Sequence, residues 1–135
     1  METKATKHSR YHIFYHIVWI PKYRRCVLEG GMVDKLQGIF QKIAKEKGLE
    51  ICGLEIMPDH IHLFVSSPPQ NSPSLIVNWF KGISARMYNH RNPDNHIRWT
   101  NAYYVGTAGT VSKETIQRYI GEQKKCRDAS VESEE

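Results

Sequence analysis

Apolar residues follow two rhythms along this chain, and the changes between them mark its elements. From Tyr11 to Ile20 the run YHIFYHIVWI carries aromatic and β-branched residues at both parities, as expected of a central strand covered on both faces. Pro21 stops the ladder. Val33, Leu36, Phe40, Ile43 and Lys47 then recur at spacings of three and four, which predicts an amphipathic helix ending at Gly48, a residue suited to the left-handed C′ position. A strand over 49–57, a turn at Pro58-Asp59 and a return strand over 60–66 read as an antiparallel hairpin. Ser72 as N-cap and Pro73 at the first helical position open a second helix. Its spacing buries Leu75, Ile76, Trp79, Phe80, Ile83 and Met87, with Lys81, Ser84 and Arg86 elsewhere on its circumference. Residues 97–105, containing Trp99, Tyr103 and Tyr104, predict a fourth strand with an irregular start.

The resulting order, βαββαβ, predicts an α+β fold of the ferredoxin-like or RRM-like kind: a four-stranded antiparallel sheet with helices on one face. The open face is a surface on which nucleic-acid modules hold single strands. A further helix is expected over 112–126, with Ser112 as N-cap, Glu114 in its first turn and Lys124 and Lys125 in its last. The expected organisation is one domain over 1–135. It divides into a flexible arm over 1–9, the core over 10–105, a glycine-containing hinge over 106–111, the last helix and a disordered acidic tail over 127–135.

Composition narrows the partners. One domain of 135 residues is long enough for a full core. A net charge of +5 and a pI near 9.2 suit an anionic partner. Cys26, Cys52 and Cys126 form no C-x-x-C pair and leave an odd count, which argues against a disulfide framework or zinc ribbon and fits a reducing cytoplasm. The longest apolar stretch is interrupted by His16 and too short for a membrane span.

The candidate chemistry starts at Met-Pro-Asp-His-Ile-His. In an extended strand His60 and His62 share a face, about 6 to 7 Å apart at the backbone, so their ring nitrogens can converge on one divalent ion. Taken alone, such a pair is more often structural. On the last helix Tyr119 and Gln123 lie one turn apart. Docked on the sheet, Gln123 can offer an amide oxygen as third ligand while Tyr119 lies beside the ion, a mixed shell that suits Mg²⁺ or Mn²⁺. A tyrosine between isoleucines is otherwise a core residue. His12 and His16 share a strand face and can approach the site, although a hydrogen-bonded core role is the plainer reading. Lys22, Tyr23, Arg24 and Arg25 combine three cations with an aromatic, a mix that holds a phosphate backbone and stacks a base, and Lys81 and Arg86 are further candidate DNA contacts. Trp99, Tyr103 and Tyr104 can stack bases or cover a dimer seam, and spacing does not choose.

These landmarks together resemble a family. YHIVWIPKYRR from Tyr15, MPDHIHLFV from Met57, FKGISARM from Phe80, WTNAYYVGTAG from Trp99 and YIGEQ from Tyr119 stand in the order found in HUH single-tyrosine transposases of small insertion sequences, the TnpA type. The resemblance implies His60, His62 and Gln123 as metal ligands and Tyr119 as nucleophile. It also implies cleavage of single-stranded DNA with hairpin ends, a 5′-phosphotyrosine intermediate, and a homodimer whose composite sites commonly pair one subunit's tyrosine helix with the other's histidines. Rival readings are a repeat-associated tyrosine transposase-like nuclease, a non-catalytic single-stranded nucleic-acid-binding module, a metal-dependent hydrolase, and a replication initiator, which would bring further domains.

Overall fold

The computed structural model describes residues 4–5, 10–11, 13–107 and 118–121. Two short strands, β1 (Lys4–Ala5) and β2 (Arg10–Tyr11), pair with each other in a two-stranded sheet. There follow β3 (Phe14–Trp19), α1 (Gly31–Lys47), β4 (Glu50–Met57), β5 (His60–Ser66), α2 (Pro73–Asn78), a π-helical turn (Trp79–Ile83), α3 (Ser84–Arg91) and β6 (Tyr104–Thr107). The main sheet has the order β4-β5-β3-β6, with every neighbouring pair antiparallel. That is the ferredoxin-like arrangement the pattern predicted.

Register decides which side chains meet. The turn at Pro58-Asp59 pairs Met57 with His60 and Glu55 with His62, and β3 then sets Val18 opposite His62 and His16 opposite Phe64. Because successive side chains alternate faces, Ile17, Trp19, Ile61, Leu63 and Val65 all point to the helical side. There they are buried with Leu36, Phe40 and Ile43 of α1 and Ile76, Val77 and Phe80 of the second helical segment. Trp19 anchors this layer, meeting Phe40 and Trp99 edge-on with ring centroids 5.6 and 5.7 Å apart. Burying a side chain of this kind contributes about 1.5–3 kcal/mol. His16, His60, His62 and Phe64 are left on the other face.

Helix ends follow local chemistry. Gly48 caps α1 at φ 72°, and the Ser72 hydroxyl accepts from the Leu75 N–H at 3.1 Å, with Pro73 behind it. Among the described residues no helix is long and apolar enough to cross a membrane.

Three boundaries differ from the sequence reading. The first strand begins at Phe14, not Tyr11, because Arg10–Tyr11 pairs with Lys4–Ala5; His12 lies outside the described residues. The second helix is not one continuous α-helix: the π turn inserts a residue and rotates the buried face. Leu75, ahead of the π turn, is exposed, whereas Val77, Ser84 and Tyr88 are buried. Ser84 there accepts the Trp99 indole N–H at 3.1 Å. The fourth strand is shorter and later than 97–105. Only Trp99 of its expected start makes a bridge, to Pro21, and Gly106 and Thr107, read as the beginning of a hinge, instead pair with His16 and Tyr15. The rest of that hinge, 108–111, is outside the described residues.

The 92–99 loop is held by Asn89, whose amide accepts from the Ile97 N–H at 2.6 Å and donates to the Ile97 carbonyl at 3.0 Å. Asn89→Ala loses both bonds and leaves two backbone groups unsatisfied, so urea unfolding should show a loss of about 2–4 kcal/mol. A loss below about 0.5 kcal/mol would mean the loop is held by something else.

Candidate active site

The open sheet face carries two histidines whose rings are each held by a carboxylate. Asp59, in the hairpin turn, lies 2.9 Å from His60 Nδ1, and Glu55, opposite His62 across the hairpin, lies 3.1 Å from His62 Nδ1. When each imidazole gives its Nδ1–H to its carboxylate, the lone pair sits on Nε2, the arrangement that orients metal-ligating histidines. A third imidazole joins them: His16 Nδ1 is 2.9 Å from His62 Nε2, and the His16 ring stacks on Phe64 at 4.4 Å. Burial, and then the neighbouring charge of His62, push the His16 pKa below its usual value. In the neutral state of both rings, His16 Nδ1–H can donate to the His62 Nε2 lone pair. The plainer sequence reading of His16, a core histidine, is replaced by a place beside the pair.

The tyrosine arrives on the same face. Residues 118–121 form a helical turn, with Ile120 buried and the Tyr119 ring 5.9 Å from that of Tyr104. Tyr104 pairs with Val18, itself opposite His62, so Tyr104 lies two strands from His62, on the order of 10 Å at the backbone. Within this chain, then, Tyr119 lies against its own sheet. Burial raises its phenol pKa from 10.0 to about 12. Between the two halves sits Arg24. Its Nη1 donates to the Ile120 carbonyl, and its Nε lies 3.7 Å from Asp59 Oδ2, an ion pair rather than a hydrogen bond.

The other candidates are scattered. Lys22, Tyr23 and Arg25 surround the tight turn Lys22–Arg24, with Lys22 and Arg25 over the exposed Tyr23 ring at 5.4 and 5.9 Å. They border a cleft of about 320 Å³ that also includes His96 and Arg98. Lys81 is drawn inward, donating to the Thr100 and Ala102 carbonyls at 2.6 and 3.2 Å, and burial lowers its pKa. Arg86 is exposed on α3, in the helical layer. Trp99 is packed against Trp19, and Tyr103 lies beneath Lys81. Gln123 lies outside the described residues. Sequence reasoning does not single out Asp59 or Glu55 and gives Tyr104 no place beside Tyr119, although a two-residue turn at Pro58-Asp59 already implies that Glu55 faces His62.

His60 and His62 fit a divalent ion by donor chemistry: two Nε2 lone pairs on one face, each ring fixed by a carboxylate. Among the described residues no three His, Cys, Asp or Glu side chains gather as an ion cage. An amide, a phosphate or water can complete the coordination of such a pair. His16 would have to give up its hydrogen bond to His62 Nε2 on binding.

Because burial raises the Tyr119 pKa, the folded state holds the phenolic proton more tightly than the unfolded chain does. The stability due to that burial is present below pH 10.0 and is lost as pH rises toward about 12. Urea midpoints measured from about pH 9 to 11.5 should fall more steeply for the wild type than for Tyr119→Phe. Parallel curves would show that Tyr119 is not docked.

The chain is similar in sequence and fold to known proteins. The family model described as "Transposase IS200 like" matches residues 9–123. The ISDra2 transposase TnpA of Deinococcus radiodurans is 35% identical over 129 residues, covering 91% of this chain and 92% of the relative. The transposase of insertion sequence element IS200 from Salmonella typhimurium is 34% identical over 128 residues, covering 90% and 84%. The crystal structure of a candidate transposase from Deinococcus radiodurans R1 superposes with a TM-score of 0.84 at 34% identity, covering 90% of this chain and 98% of that one. A REP-associated tyrosine transposase bound to a REP hairpin shares the fold, with a TM-score of 0.56 at 15% identity over 88% of this chain and 70% of that one. With a family match across nearly its whole length and relatives matched over most of theirs, this chain belongs to the IS200-like transposase family.

Proposed function

We propose that this protein cuts and rejoins single-stranded DNA at insertion-sequence ends, with Tyr119 as nucleophile and Mg²⁺ or Mn²⁺ held by His60, His62 and Gln123. The observation that carries the reading is the shared sheet face: a carboxylate-oriented histidine pair and a helical turn bearing Tyr119, linked through Arg24. Family membership supports DNA as substrate, and the names of the relatives support insertion-sequence ends. A cytoplasmic homodimer acting on hairpin ends belongs to the same reading, and sedimentation with and without hairpin DNA tests the dimer.

In this mechanism the Tyr119 oxygen attacks the scissile phosphorus and the P–O3′ bond breaks. The phenolic proton leaves to a base or water, and the departing 3′ oxygen takes up a proton. A 5′-phosphotyrosine and a free 3′-OH result. Rejoining reverses the exchange: a 3′-OH attacks the phosphotyrosine and releases the phenol, so no water is consumed. Burial makes Tyr119 a weaker acid than free tyrosine, so its surroundings do not activate it by themselves. The bound ion would polarise the phosphate and stabilise its added charge. Asp59 and Glu55 orient the rings that would hold the ion, and Lys22 and Arg25, cations beside the exposed Tyr23 ring, are the proposed contacts to the strand's phosphates.

Wild-type protein, a labelled single-stranded element end and Mg²⁺ should give an SDS-resistant adduct. Tyr119→Phe should abolish it while leaving hairpin binding and circular dichroism intact, and His60→Ala or His62→Ala should slow it by about 100-fold or more. No wild-type adduct in either Mg²⁺ or Mn²⁺ with an authentic end would sink the proposal. Reversing the charges of Lys22 and Arg25 should weaken hairpin binding and reduce the slope of log affinity against log salt by about one for each phosphate no longer neutralised. An unchanged slope would remove both from the DNA path.

A further inference from the structure

By sequence Arg24 groups with its neighbours as a phosphate contact, but its guanidinium is turned into the protein. The turn that carries it is unusual: Tyr23 and Arg24 both have left-handed backbones, φ 63° and 51°, a conformation that side chains other than Gly, Asn and Asp seldom adopt. Such strain persists where the surroundings fix it, often at functional positions. The fixing hydrogen bonds are visible. The Arg24 N–H bonds to the Pro21 carbonyl at 2.8 Å, the Lys22 N–H to the Arg98 carbonyl at 2.9 Å, and the Leu28 N–H to the Pro58 carbonyl at 3.1 Å, which ties this segment to the tip of the histidine hairpin. The result is a long cation placed between two things that must be brought together.

We infer that Arg24 is a positioning residue that couples the two halves of the site. Its guanidinium docks the tyrosine turn through the Ile120 carbonyl and at the same time holds Asp59, the carboxylate that orients His60. This rests on the function proposed above for its meaning, but not for its geometry. A planar fork suits the task because Nη1 and Nε diverge from one rigid group and reach two acceptors at once, which a lysine ammonium on a flexible stem does not reproduce. The guanidinium lies between chain segments 35 and 96 residues away, one the histidine hairpin and the other the tyrosine turn. Loosening it frees the turn and unseats the His60 ring together.

The test uses full-length protein without DNA or metal and follows backbone hydrogen exchange at residues 118–121. Arg24→Ala and Arg24→Lys should each speed exchange there by about tenfold or more while β3 and β5 keep wild-type protection. Asp59→Asn should do the same to a smaller extent. With element-end DNA, adduct formation by Arg24→Lys should fall by a similar factor while hairpin affinity stays within about twofold. If exchange at 118–121 is unchanged and hairpin affinity and its salt slope fall instead, Arg24 is a phosphate contact and the coupling role is overturned. Should Arg24→Ala lose protection throughout the sheet, Arg24→Lys and Asp59→Asn decide the matter by the same criterion. A wild type that forms no adduct defeats the transposition reading without touching the exchange result; unchanged exchange in a protein that does form adduct defeats the coupling alone.

Discussion

A two-residue turn sets most of what matters here. Pro58-Asp59 reverses the chain so tightly that Met57 must face His60 and Glu55 must face His62. Because side chains alternate strictly along a strand, a shift of one residue would send both histidines into the core and Ile61 and Leu63 into water. The burial of those apolar residues, and of Val65 beyond them, locks the register. The chemistry of the open face is thus held in place by the hydrophobicity of the closed one. Asp59 does two jobs in this scheme, as a turn residue and as the acceptor beside His60.

The fold was legible because its signals were local and mutually consistent. Helical spacing with Gly48 at one end, an N-cap at Ser72, and period-two strands around Pro58 each specify a neighbourhood, and their order allows few topologies. What could not be read was the outcome of competition between distant parts. Nothing near Trp79 announces a π turn, nor that Ser84 just beyond it receives the Trp99 indole N–H. β6 begins only at Tyr104 because the segment before it is engaged by Lys81 and Asn89.

The site divides the same way. His60, His62 and Tyr119 stand out by residue type and spacing. Their supports do not: an arginine in a basic run looks like its neighbours until its backbone turns it inward, and a histidine on a strand looks like core until register puts it against another histidine. Lys81 shows the converse, a surface cation by helical position whose donors are spent on two carbonyls.

The hydrogen bond between His16 and His62 spans 46 residues of sequence, whereas Glu55 and His62 are joined by a hairpin that closes within seven. Short loops close with little entropy loss, long ones with more. The hairpin needs only local closure to carry both histidines, each facing its own carboxylate, whereas the third imidazole is added only when β3 pairs with β5. Formation of the pair is thus a local matter of one hairpin, and completion of its surroundings a matter of the whole sheet.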